Sequence, residues 1–260
     1  MIWFEGRRIP HGSWGFMRTI HATLREMESS LAKKVDLTDG SGNLLFTGSM
    51  EAYRQVMLRR SIDLAQGSIS CWNSSLLVSA IVCSRALLET IAIFYTFLSR
   101  ATEYAGQSDW ISIGKLIDAY KLYSSVNPEV RTDSEKPPRI GKAVRNFIAQ
   151  TQPDAMPFWD QICNYAHPNG KPMMHLFGEC EANEFILIAD QRREISLFAA
   201  IYNSLYACCW LRSSDLDWDI LIEQMRTGTQ LHVEHPLIKR RLFIDSLVQR
   251  AVEENWAQRT

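Results

Sequence analysis

The amino-acid sequence predicts a mainly α-helical protein, a helical bundle with a small β-hairpin. Apolar residues recur at alternating intervals of three and four over several segments, and two longer apolar runs suit central helices. Extended-looking runs occur only around residues 44–47 and 173–189. With 260 residues the chain can bury a large core. We read it as a single domain over residues 1–260, with 124–138 as the place of division if there are two halves.

Each element has its own signal. Over residues 14–35, Met17, Ile20, Leu24, Met27 and Leu31 write one helical stripe, ended by a Gly-, Asp- and Ser-rich loop at 36–48. Residues 49–66 and 72–100 read as two further helices broken at Gly67-Ser68. Asp109 is placed to cap a fourth helix running to about residue 123. The Pro, Ser and charge content of 124–138 marks a linker. Shorter helices follow at 140–150 and 156–166, the second opened by Pro157 in its first turn. Residues 173–177 and 185–189 predict a hairpin turning over 178–183. Helices at 192–211 and 236–256 close the chain, the last with the stripe Ile238, Leu242, Phe243, Leu247, Ala251.

Composition narrows the function classes. Apolar residues at 46% and charged residues at 22% exclude disordered and fibrous chains. Lys and Arg number 28 against 29 Asp and Glu, so no global basic field draws the protein to nucleic acid or to anionic membrane. Contact with phosphate would have to be local, as at Arg7-Arg8, Arg59-Arg60, Arg192-Arg193 or Lys239-Arg240-Arg241. Six cysteines without metal-type spacing read as reduced core thiols. The N-terminal residues lack the order of a secretory signal, so a cytoplasmic location is expected. No membrane partner is expected either. The apolar run at 76–98 carries Arg85 and Glu89 near its middle, and that at 195–211 falls short of the roughly 20 residues a crossing needs.

Motifs with a fixed chemistry are missing. There is no Gly-x-x-x-x-Gly-Lys loop, no Gly-x-Ser-x-Gly elbow and no His-Glu-x-x-His helix. Asp39-Gly-Ser-Gly-Asn43 opens like a calcium loop, but Leu44 and Met50 stand where the glycine and glutamate belong. His167 with His175, and His232 with His235, lack companion carboxylates or cysteines, so no metal and no cofactor is expected.

Two features carry the candidate site. Arg85-Ala-Leu-Leu-Glu89 places opposite charges at i and i+4 on one face of an apolar helix. Such a pair is either an internal ion pair anchoring the helix or a phosphate clamp in which Glu89 orients the planar guanidinium of Arg85. The second feature is the turn Asn164-Tyr165-Ala166-His167-Pro168-Asn169, where a helix should end against proline. His167 there can serve as general acid or base, with Asn164, Tyr165 and Asn169 as binding residues, or it can cap the last helical turn.

On Arg85, Glu89, Tyr165, His167 and Pro168, with a similar helical layout over residues 50–212, the sequence resembles HEPN-related helical proteins, including bacterial abortive-infection proteins. The resemblance implies an effector or regulator in bacterial defence, a homodimer or a partner protein, RNA as substrate, and metal-independent ribonuclease activity. Many such proteins use an Arg and a His separated by four to six residues, whereas Asp160, Gln161 and Ile162 hold the positions where that arginine would precede His167. Arg145-Asn146 begins like the motif but meets Gln150, Thr151 and Gln152. A nuclease of this type would pair His167 with Arg85 instead. The alternative is a non-catalytic helical binding or assembly protein whose Arg85–Glu89 pair is structural.

Overall fold

The computed structural model describes Phe4, Ile9 and residues 13–37, 46–122, 139–167, 177–181, 184–187 and 194–227. These residues are mainly helical. Helix α1 (Trp14–Ser29) buries Met17, Ile20, Leu24 and Met27 of its stripe but ends before Leu31, short of the expected residue 35, and Ser30 at its end donates its backbone N–H to the Glu26 carbonyl. His21 is buried on the same helix beneath the ring of Phe4, 6.0 Å away.

Helix α2 (Phe46–Asn73) begins three residues earlier than its pattern suggests, so Phe46 and Thr47 are helical where the sequence suggested an extended piece. It also continues through Gly67 and Ser68. The break falls later, where Ser75 takes a left-handed φ of 59° and the Leu76 N–H bonds the Cys71 carbonyl at 2.8 Å. A Cβ at Gly67 would lie 3.4 Å from the Cys83 sulfur, so α3 lies close to α2 at this residue. Gly48 meets a tighter limit: a Cβ would run into the carbonyl oxygen of Asp36, so only glycine lets that segment lie on the first turn of α2.

Helix α3 (Leu77–Gly106) is the central element, and it packs against helices on both sides of residues 123–138. It is long and apolar enough to cross a membrane, and half of its most apolar window is buried against the rest of the chain. Helix α4 (Trp110–Leu122) starts as its N-cap predicts, with Asp109 accepting the Ser112 N–H at 3.0 Å. Helix α5 (Ile140–Thr151) buries Ala143, Val144, Phe147 and Ile148. A single 3-10 turn at Pro153–Ala155 leads into α6 (Met156–Ala166).

Strands β1 (Gly178–Glu181) and β2 (Glu184–Leu187) pair antiparallel, with Gly178 opposite Leu187 and Glu181 opposite Glu184. The first strand therefore occupies residues that the sequence assigned to the turn. Helices α7 (Glu194–Ser213) and α8 (Asp215–Thr227) follow, joined at the buried Ser214. The linker, Asn169 and the 236–256 segment lie outside the described residues.

Aromatic rings fill the space around α3. Tyr95 meets Phe147 and Trp210 edge-on at 5.5 and 5.1 Å, while Phe94 stacks on Trp218 at 5.4 Å. Each fully buried ring of this kind contributes roughly 2–3 kcal/mol by leaving water, which favours a fixed packing of α5, α7 and α8 on α3.

Candidate functional site

Arg85 and Glu89 lie on the face of α3 covered by α6. The Arg85 Nε donates to Glu89 Oε1 at 2.9 Å, and both side chains are half-buried, with 29% and 23% of their surface exposed. The guanidinium carbon lies 5.9 Å from the centre of the Trp159 ring on α6. A carboxylate on its inner nitrogen and an aromatic plane beneath it fix the orientation of a planar cation. Among the described residues no hydrogen bond uses its two terminal nitrogens, which leaves the edge of the fork that recognises phosphate bidentately.

Cys163, one turn after Trp159 on α6, is ringed by charge from three helices. Arg85 and Glu89 reach it from α3, Arg145 from α5, and Asp160 from α6 itself. Burial pushes its thiol up from the ordinary value, with Glu89 and Asp160 adding to the rise and Arg85 and Arg145 opposing it. A thiol held protonated is no nucleophile at neutral pH.

His167 is the residue that ends α6, with φ −88° and ψ 128°, and it is exposed. It follows Trp159 and Cys163 at the same interval of four, so it continues their stripe about 6 Å beyond Cys163 along the helix axis. Among the described residues no contact joins His167 to Arg85 or Glu89. Asn164 is exposed, and Tyr165 is half-buried against the core.

A second polar region was not foreseen from the sequence. A cleft of about 600 Å³ opens between the segment after α1, the start of α2 and α8, lined by Lys34, Asp36, Glu51, Arg54, Glu223 and Arg226 among others. Its cations are engaged. Arg54 gives one terminal nitrogen to Glu51 and the other to Asp215 at 2.6 Å, Lys34 pairs with Asp36, and Arg226 with Glu223. Trp218 donates its indole N–H to Glu51, and Arg212 joins Asp215 to Glu26 of α1. No sequence signal marks this network, because Arg54 and Asp215 stand 161 residues apart. Each of its cations is paired with a carboxylate, so we read it as serving the fold, whereas among the described residues the terminal nitrogens of Arg85 make no hydrogen bond.

Among the described residues no group of three or more His, Cys, Asp or Glu side chains could hold a metal ion. Comparison with family models, curated proteins and solved structures gives no match.

Proposed function

We propose that this chain is a helical effector of bacterial defence that binds RNA and cleaves it without metal. The observation that carries the reading is the Arg85 guanidinium, held by Glu89 and backed by Trp159 with its terminal nitrogens open. In the proposed reaction His167 takes the proton of a ribose 2′-hydroxyl, whose oxygen attacks the adjacent phosphorus. Arg85 stabilises the charge that grows on the phosphate oxygens. The P–O5′ bond breaks, the proton held by His167 passes to the departing oxygen, and the products are a 2′,3′-cyclic phosphate and a 5′-hydroxyl. A homodimer, which the HEPN resemblance implies, would bring two such faces to one strand.

The second reading is a non-catalytic helical binding or assembly protein. One observation favours it: Arg85 and Glu89 satisfy each other within one helix, an arrangement that needs no substrate to be stable.

Labelled single-stranded RNA incubated with the purified protein in chelator separates the two. Metal-free cleavage that disappears in His167→Ala and falls at least tenfold in Arg85→Ala is expected. Intact RNA with the unaltered protein, at concentrations where it is bound, rejects the nuclease and leaves the binding role. Neither binding nor cleavage rejects RNA as the ligand.

A further inference from the structure

Cys71 lies in the last turn of α2 and Cys83 in the second turn of α3, on either side of the tight turn through Ser75. The Cys83 sulfur would sit 3.4 Å from a Cβ on Gly67, which places it on the face of α2 at that residue. Cys71 is four residues further along the same face of α2, so both thiols lie where α2 and α3 are in contact. Cys71 is close enough to help raise the Cys83 thiol, and both are only half-buried, unlike Cys208 and Cys209 in the core. This position corrects the expectation that all the cysteines are inert core thiols.

We propose that Cys71 and Cys83 are a dithiol modification site that closes to an intrachain disulfide across the α2–α3 turn. With a small disulfide such as oxidised glutathione as the oxidant, one thiolate attacks a glutathione sulfur and releases one glutathione thiol. The second protein thiol then displaces the other, so two protein thiols lose two protons and two electrons and one disulfide becomes two thiols. Burial and the neighbouring Cys71 push the Cys83 thiol up, so its thiolate is scarce at neutral pH and exchange is slow. The site is therefore a slow staple set by sustained oxidising conditions. It lies two residues before Arg85 on α3, so closure fixes the end of the helix that carries the candidate site.

The test incubates the folded full-length protein with oxidised glutathione, blocks the remaining thiols, and reads intact mass and cross-linked peptides. The expected product has lost two hydrogen atoms, carries no glutathione at these positions, and yields one peptide pair joining Cys71 to Cys83. Cys71→Ser and Cys83→Ser should each prevent the cross-link and leave a glutathione adduct on the remaining cysteine. Trivalent phenylarsine oxide, which bridges paired thiols, gives a second reading independent of oxidation. It should bind the unaltered protein one to one and show at least tenfold weaker binding to either variant. Glutathione adducts on both cysteines without a cross-link, or no reaction while the unfolded protein reacts, overturns the proposal.

Discussion

Arg54 and Arg85 stand on neighbouring helices, and each is held by carboxylate, but their surroundings differ. Arg54 has 12% of its side chain exposed and spends both terminal nitrogens, one on its own helix and one on Asp215, which opens α8. Arg85 bonds through its inner nitrogen to a residue one turn away, and among the described residues its terminal nitrogens make no hydrogen bond. The first arginine ties distant parts of the chain, and the second is held within its own helix. What separates the tying cation from the candidate one here is which nitrogens are used, since both are half-buried or deeper and both are paired.

Breaking the tie should have the largest effect. Arg54→Ala leaves Asp215 and Glu51 without their shared partner, and we expect a loss of about 3 kcal/mol in urea denaturation. A loss below about 0.5 kcal/mol would put Arg54 among ordinary surface pairs and dissolve the contrast.

An acid titration sharpens the comparison once His21 is taken out of it. Burial, helped by Arg25, lowers His21 to about 4 from an ordinary 6.5. The unfolded chain therefore binds this proton more readily than the folded one. Stability is intact above about pH 6.5 and falls as the pH drops toward 4, by roughly 2–3 kcal/mol. His21→Phe should flatten that limb of the stability curve between pH 6.5 and 4. An unchanged limb would assign the acid loss to carboxylates such as those of the Arg54 network.

The smallest change in stability belongs to Arg85. Arg85→Ala and Glu89→Gln should each shift stability by no more than about 0.5 kcal/mol, and a double-mutant cycle should return a similar coupling. RNA binding should respond more than folding does. Losing a single phosphate contact lowers the salt dependence of affinity by about one ion, uniformly across sequences. A stability loss as large as that of Arg54→Ala, with binding unchanged, would make both arginines structural.

The sequence showed elements whose signal is local. The stripe of α1, the apolar length of α3 and the Asp109 cap of α4 each reside within one helix, where periodicity and side-chain type report directly. The end of α2 did not show, because Gly67, a residue that often marks a break, lies inside the helix and the chain turns only at Ser75. For the site, the i,i+4 spacing revealed the Arg85–Glu89 pair. Trp159 beneath Arg85 and the charges around Cys163 are tertiary, and no spacing in the sequence brings α3, α5 and α6 together. The Arg54–Asp215 contact is the extreme case of the same blindness.

The turn at Ser75 also bears on the order of assembly. It joins the two longest described helices through three residues, so bringing α2 and α3 together closes a short loop at little entropic cost. Arg54 must wait for a partner 161 residues away. On a ribosome the α2–α3 hairpin, with Arg85 already on it, is complete long before α8 emerges. The nascent chain thus carries the Arg85–Glu89 pair on formed structure while the contact that locks the fold is still unmade.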